Sequence, residues 1–341
     1  MHLRSVHTPS FPALLNHMKS SLLVTTYQAD KLVVIRADGN KINTHFRTYN
    51  HPMGLAVDRG RLAIGTMIAI EQHRNMPEVA SRLQPPGRYD AVYVPRSGHL
   101  TGNIDIHDLA WAGDELWLVN TRFSCLCTLD NNHSFVPRWR PPFITAYAPE
   151  DRCHLNGLAV VDGRPRYVTA LGTTDSAEGW RDNKLKGGVI LDVESGEPVA
   201  TGLCMPHSPR WHQKRLWVLE SGTGTLAAVD LGSGRLEVTA RLPGYTRGLD
   251  FLGPYAFVGL SQVRDSAVLT DAGLLRALDG RQCGIWVVDL RTGEPAAFLR
   301  FENAIQELFA VAALPSIRCP EVLTAADKVV EVAYHLPRGS I

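Results

Sequence analysis

The sequence has no run of 18 apolar residues, so it encodes no candidate transmembrane helix. Its opening, Met1-His-Leu-Arg-Ser-Val-His-Thr-Pro-Ser10, lacks the apolar centre of a secretory leader. Charge of one sign is also lacking: 35 Lys and Arg against 34 Asp and Glu leave a net +1. So balanced a chain has no electrostatic footprint for nucleic acid or for an anionic membrane, and neither is expected as a partner. Cysteine is scarce, and of the six only Cys125 and Cys127 stand close together. No second pair completes a zinc-ligand spacing, so reduced core thiols in a cytoplasmic protein are the expectation. A Gly-x-Ser-x-Gly turn is missing as well. Ser221 sits instead in Glu220-Ser-Gly-Thr-Gly224, which excludes a serine hydrolase of the nucleophile-elbow type.

Helical periodicity is nearly absent too. Residues 9–20 form one fair candidate, and 70–85 and 264–280 are short further ones. What remains is strand-like: Leu22–Tyr27, Lys31–Arg36, Glu115–Thr121, Arg215–Ser221 and Cys283–Asp289 are five to seven residues long and separated by Asp-Gly, Gly-Asn, Ser-Gly and Thr-Gly turns. The chain is therefore read as all-β.

An internal repeat makes that reading specific. With Leu55 of "HPMGLAVDRGRLAIGT" (51–66) as reference, the phrase aligns with copies whose reference residues are Leu109, Leu158, Pro209, Leu249 and Phe309. In four copies the next strand starts eight residues after the position two before the reference (53 to 61, 107 to 115, 207 to 215, 247 to 255). The copies begin near 51, 105, 154, 205, 245 and 305, a spacing that suits four-stranded propeller blades. The expected fold is a β-propeller of six blades, with seven the alternative, forming one domain over residues 1–341. Residues 21–49 read as later strands of a blade whose partner strands lie around 308–334, so both termini close the ring. Residues 1–20 are an N-terminal extension with a short helix, and 67–103 and 173–187 are top-face insertions that include the candidates Glu71 and Trp180.

In a propeller the first strand of each blade lines the central channel, so equivalent positions converge although they are far apart in sequence. Two before the reference stand Met53, His107, Asn156, His207, Arg247 and Glu307; four before it stand His51, Asp105, His154, Met205, Tyr245 and Ile305. Period-two alternation puts both sets on one side of their strands. Imidazoles and carboxylates converging from separate strands suit a divalent transition metal: Zn, Fe(II), Mn or Cu. His107, His207 and Glu307 are the expected ligands, with His51, His154 or Asn156 completing the shell. Arg247 would orient an anionic substrate, and Tyr245 or Asp105 would transfer a proton. The far ends of the second strands add Arg122, Glu220 and Arg264 as substrate contacts. The recurring Trp117, Trp217 and Trp286 are read as blade core.

The stretches "SLLVTTYQADKLVVIR", "HPMGLAV" and "CHLNGLAVVDGRPRYVTALG" resemble an uncharacterised bacterial family of propeller-like conserved hypothetical proteins over nearly the full chain. That resemblance implies a fold and no activity. More distantly, the pattern is similar to the six-bladed gluconolactonase, senescence-marker and paraoxonase group, which implies a divalent cation held at the channel mouth by Glu, Asn and Asp. Asn156 and Glu307 match that ligand type, whereas His107 and His207 stand where oxygen ligands would be, which disfavours calcium. The carotenoid-cleavage oxygenases, propellers with four histidines on an axial iron, are similar in architecture only. The functional expectation is a metal-dependent enzyme acting on a small polar substrate, with hydrolysis of a lactone or ester leading. An oxidase, oxygenase or isomerase at the same site is the first alternative, and a non-enzymatic propeller binding a protein or glycan the second. The sequence assigns no oligomeric state.

Overall fold

The β-rich runs pair into antiparallel sheets because each is a short, doubly buried strand bounded by residues that turn tightly. The computed structural model describes residues 3–262 and 282–337. Blade 1 holds β2 (Ser21–Thr26), β3 (Lys31–Asp38) and β4 (Lys41–Thr48). Blade 2 is β5 (Leu55–Asp58), β6 (Arg61–Gly65), β7 (Ala69–Asn75) and β8 (Ala91–Leu100), and blade 3 is β9 (Ile106–Ala112), β10 (Glu115–Asn120), β11 (Cys125–Thr128) and β12 (Val136–Trp139). Blade 4 is β13 (Leu155–Val161), β14 (Arg164–Ala170), β15 (Gly188–Asp192) and β16 (Pro198–Leu203). Blade 5 is β17 (Pro206–His212), β18 (Arg215–Glu220), β19 (Thr225–Val229) and β20 (Leu236–Arg241). Blade 6 is β21 (Tyr245–Leu252), β22 (Tyr255–Ser261), β23 (Cys283–Asp289) and β24 (Pro295–Phe301).

The ring closes through the termini. β25 (Val311–Leu314) pairs with β2 and becomes the inner strand of blade 1. The irregular second strand after the last repeat is thus supplied from residues 21–26. β5, β9, β13, β17, β21 and β25 each touch the next, and β25 returns to β5. Six sheets complete the circle, and seven do not arise. β1 (Ser5–His7) adds to the edge of β24, β26 (Pro320–Val322) runs parallel to β8, and α1 (Ser10–His17) packs Phe11 and Leu15 between blades 1 and 6. Trp217 and Trp286 share the buried cluster between blades 5 and 6, and Trp117 packs between blades 3 and 4.

The outer hairpins of blades 4, 5 and 6 reuse one turn. The carboxylates of Asp192 and Asp230 accept hydrogen bonds from backbone N–H groups two and three residues on and that of Asp289 from the one two residues on, and Gly196, Gly234 and Gly293 take φ values of +77°, +70° and +76°.

Two sequence expectations change. Residues 69–75, placed in a helix candidate, are strand β7, and only Pro77–Arg82 forms a 3₁₀ turn. Residues 67–103, expected as an insertion, supply the third and fourth strands of blade 2: Ile70 of β7 packs in the core between blades 2 and 3, and Ala91 and Tyr93 of β8 pack in the core between blades 1 and 2. The helix expected at 264–280 lies outside the described residues.

Packing around the axis is set by the position just before each repeat reference. A Cβ at Gly54 would lie 3.2 Å from the Asp108 backbone, one at Gly248 would lie 2.8 Å from Val311 N, and one at Gly157 would overlap Pro209 Cδ. Where a side chain is present it bonds to the neighbour instead: Leu158 N donates to Asp108 (3.1 Å) and Gly248 N to Ser208 (3.1 Å). Asp108 also receives both Nη atoms of Arg210, at 2.8 and 3.1 Å, tying blade 3 to blade 5 past blade 4.

A buried ionic cluster fastens the C-terminal segment. Glu321 of β26 accepts from Arg36 (3.3 Å) and Arg47 (2.8 Å), with His45 Nε2 at 3.2 Å, so one carboxylate joins β3 and β4 of blade 1 to the edge of blade 2. Burial raises its pKa, but His45 and Arg47 overcome that and hold it at about 2.

Two outcomes follow for stability. Gly157→Ala will cost about 1–3 kcal/mol in urea denaturation through overpacking, whereas Gly98→Ala, with open space at its Cβ, will stay within about 0.5 kcal/mol. Glu321→Gln will cost about 3 kcal/mol at neutral pH. Because the folded pKa lies below the ordinary value of 4.5, Glu321's contribution is full above 4.5 and is lost as pH falls towards 2. The gap between wild type and variant must close over that window; a gap that persists at the acid end contradicts the assignment.

Candidate functional site

Why a strand pair opens with a histidine is answered by backbone geometry. His51, Asp105, His154 and Met205, at the same place in four blades, have left-handed φ values of 47°, 51°, 52° and 54°. Each turns the chain into its inner strand and presents its side chain to the channel mouth. The last copy sits two residues later than the expected register. Ser261 Oγ donates to Leu308 O (3.0 Å) as Thr121 Oγ1 donates to Leu155 O (2.6 Å) and Ser221 Oγ to Thr246 O (2.5 Å). These matches make Val311, not Phe309, the sixth reference residue. Phe309 then takes the inner position and Glu307 the outer one, while Ile305 is buried in the core at 3% exposure. A two-residue slip keeps the same strand face, so Glu307 still points to the channel.

The six outer-ring residues line a top-face cavity of about 580 Å³ together with Met53, His107, His207, Arg247 and Phe309. Asn156 lies lower, accepting from Thr169 Oγ1 (2.7 Å) and lining a small void beneath. Asp105, His107 and His154, from the adjacent blades 3 and 4, offer donor atoms that all lie within 4.8 Å of one another. The His107 and His154 rings meet edge to face at 4.7 Å.

Second-strand hydroxyls fix the imidazoles. His107 Nδ1 lies 3.0 Å from Asp105 O and 2.9 Å from Thr121 Oγ1; His207 Nδ1 lies 3.0 Å from Met205 O and 2.9 Å from Ser221 Oγ. A carbonyl only accepts, and each hydroxyl has already given its hydrogen to a carbonyl of the next blade. Both Nδ1 atoms must therefore carry the proton, which leaves the Nε2 lone pairs for the cavity. The Nδ1 of His154 is engaged as well, donating to Asp151 Oδ2 at 2.8 Å. That oxygen also accepts from Trp180 Nε1 (3.0 Å), and the Trp180 ring lies over His154 at 4.3 Å.

Electrostatics keep the cluster in this form. Burial pushes His107 down to about 3, against the raising effect of Asp105, and burial with the Arg247 charge pushes His207 well below its ordinary value. Burial raises the Asp105 carboxyl, but His107, His154, Arg247 and Arg122 more than reverse this and hold it below its ordinary value. Burial raises Tyr245, which keeps its phenol protonated, and lowers Arg247. The Arg247 guanidinium rests 3.9 Å over the Phe309 ring and makes no ion pair among the described residues.

The remaining expected residues fall as follows. His51 stands at the half-exposed rim, with Nδ1 3.0 Å from Asp30. Glu307 accepts from Tyr27 OH. Glu220 does not line the cavity, since its carboxylate turns to cap Cys204 N at 2.9 Å. Arg122 does not line it either and acts on Asp105 only through its field. Arg264 lies outside the described residues. Glu71 is on β7, away from the cavity, whereas Trp180 lines it and the 173–187 segment overhangs it. Phe309, Tyr27, Met67 and Asp151 were not anticipated. A correct register of the last copy brings Phe309 into the ring, but no sequence signal marks Asp151 as the partner of His154.

A family model described as a domain of unknown function, DUF4915, matches residues 9–323. Among solved structures, a chain from a nidogen/laminin complex aligns with a TM-score of 0.57 and 12% identity, over 87% of this chain and 99% of its own. A protein of unknown function from Bacteroides caccae aligns with a TM-score of 0.52 and 11% identity, over 86% and 98%. At these identities the likeness is one of fold. No curated protein matches the sequence.

The tautomers are directly measurable. Long-range ¹H–¹⁵N correlation spectra should show His107 and His207 as Nδ1–H imidazoles with unprotonated Nε2. A protonated Nε2 on His107 or His207 would break the hydrogen-bond argument.

Proposed function

The chain belongs to the DUF4915 family, whose description carries no activity, and within it we propose a metal-dependent enzyme that hydrolyses a small lactone or ester at the top-face cavity. One observation carries the proposal: one donor atom from each of Asp105, His107 and His154 lies within 4.8 Å of the others, and hydrogen bonds at Nδ1 hold both imidazoles in place. Hydrogen bonds that fix the tautomer and aim of the other nitrogen are what metal-binding histidines need. Donor atoms sharing one ion at about 2.0–2.2 Å stand no more than about 4.4 Å apart, so a small side-chain adjustment suffices. Two imidazoles with one carboxylate favour Zn, Fe(II), Mn or Cu over calcium, which prefers oxygen. This revises the expected ligand set. Asp105 enters it, while Asn156 is engaged below and His207 stands apart from the three.

When bound, the ion would polarise the acyl carbonyl and acidify a water molecule. The chain's own groups supply the rest. Arg247, across the ring from blade 3, meets an anionic group of the substrate. Tyr245 keeps its proton and donates a hydrogen bond to the departing alkoxide. His207 accepts a hydrogen bond at Nε2 and orients water. Trp180 covers His154 and restricts solvent entry. Water adds at the acyl carbon, the C–O bond breaks, one proton of that water passes to the departing alkoxide, and an acid and an alcohol result.

The same donor set on one side of a cavity also suits an Fe(II) oxygenase, and this second reading is favoured if iron is the ion found. Binding of a protein or glycan partner leaves the inward-turned imidazoles without a role. Six free cysteines support a reducing, cytoplasmic setting, and no helix among the described residues is long and apolar enough to cross a membrane.

Elemental analysis of the purified protein should find about one transition-metal ion per chain. His107→Ala and His154→Ala should each lower metal affinity by about 10–100-fold, while Glu220→Gln should leave it unchanged. Chelation should abolish lactone or ester hydrolysis, and added metal should restore it. Metal-free protein that takes up no ion, or equal uptake by the His107→Ala variant, would refute the reading.

A further inference from the structure

The cavity is not uniformly polar. Three of the chain's six methionines, Met53, Met67 and Met205, face it together with Leu171, Trp180 and Phe309. Against this apolar wall stands Arg247, with one face on Phe309 at 3.9 Å and no ion pair or hydrogen bond from its side chain among the described residues. A partly buried guanidinium whose face is stacked on a ring presents its N–H edge, a fork that matches a carboxylate. Blade 6 carries Arg247 and blade 3 carries Asp105 and His107, so the fork and the donor cluster face each other across the ring. The volume, about 580 Å³, falls in the range of cavities that enclose a drug-sized ligand.

We propose that the cavity takes a monocarboxylate with an apolar, ring-sized body, its carboxylate on Arg247 and its body against the methionine, Phe309 and Trp180 wall. This rests on the cavity being the substrate site and not on the metal. A second charge or a row of hydroxyls laid against the thioethers and rings would find nothing to bond to there; Arg181 and Lys184 also line the cavity, on the segment that carries Trp180, and succinate in the test below reads whether they hold a second carboxylate. Phe309 has two tasks: it supports the guanidinium from below, and its edge-to-face contact with His107 at 5.2 Å makes the floor between the two ends of the ligand. For a hydrolase, such a molecule is either an acid product or a substrate with a carboxylate remote from the ester.

The test uses the full chain freed of metal, so that only the anion end is read. Calorimetric titration with 4-phenylbutyrate should show binding that 4-phenylbutanol and succinate fail to match by at least tenfold. Arg247→Gln should weaken 4-phenylbutyrate binding tenfold or more, with Arg247→Lys between the two. Far-UV circular dichroism checks that each variant is folded, and Phe309→Leu, which keeps the cation but removes its aromatic support and the apolar floor, should weaken both the carboxylate and the alcohol, the carboxylate more. Equal binding of alcohol and acid, preference for succinate, an unaffected Arg247→Gln variant, or no binding at all would each overturn the proposal. One metal ion per chain without carboxylate selectivity overturns the substrate class and leaves the metal reading intact. Carboxylate selectivity in a protein that takes up no metal does the reverse.

Discussion

Six inner strands packed around one axis can approach only as closely as the residues between them permit. That constraint governs the rest of the molecule. Gly54, Gly157, Gly248 and Ala310 leave room for the neighbouring backbone, and Ser208 and Asp108 bond to it. The same close approach leaves carbonyls of each inner strand within reach of the previous blade's second strand. Thr121, Ser221 and Ser261 satisfy those carbonyls with their hydroxyl hydrogens. A packing requirement thereby settles a chemical one: a hydroxyl already committed as a donor can only accept from an adjoining imidazole. The tautomers of His107 and His207 are consequences of ring closure.

Burial acts in the same direction. An imidazole removed from water favours its neutral form, and the nearby Arg247 charge adds to this for both histidines. The uncharged state and the fixed tautomer together give the cavity basic nitrogen lone pairs, which surface histidines would offer only as rotating, partly protonated groups. Asp105 sits among them as a carboxylate because the surrounding positive field outweighs its own desolvation. Opposite charges are thus kept on opposite sides of the cavity, with Asp105 on blade 3 and Arg247 on blade 6, separated by neutral rings.

Much of this was legible in the sequence, for a definite reason. Strand alternation and repeat spacing are local properties, and the "HPMGLAV", "LNGLAV" and "TRGLD" copies carry the glycine that the axis demands. Once the copies are aligned, the ring follows, and with it His51, Asp105, His107, His154, His207, Tyr245 and Arg247. The last copy failed because its second strand is not next to it in sequence. Residues 21–26 lie nearly 300 positions away, so nothing local fixes its register, and Phe309 reads as the reference. Blade 2 misleads for another reason: its third and fourth strands are joined by a long polar connection, which reads as an insertion although Ile70 packs towards blade 3 and Ala91 and Tyr93 towards blade 1. Glu220 and Arg122 occupy the expected strand ends, but side-chain direction there depends on turn geometry. Glu220 was drawn away to Cys204 N.

The blades are alike in backbone and unlike in what they bring to the channel, and the division follows the chain. Blades 3 and 4 supply the donor cluster, and the segment between the second and third strands of blade 4 supplies Trp180 to cover it. Blades 6 and 1 supply the cation and its aromatic support, one on each side of the closure. Arg247 precedes the circle's end, whereas Phe309 comes from the strand that completes blade 1 by pairing with the N-terminal β2. The anion end of the cavity therefore exists only when the two termini have joined, while the donor end is built from consecutive blades. An open ring would retain convergent histidines but lose the surface on which Arg247 rests. Closure of the propeller and completion of the binding site are in that sense the same event.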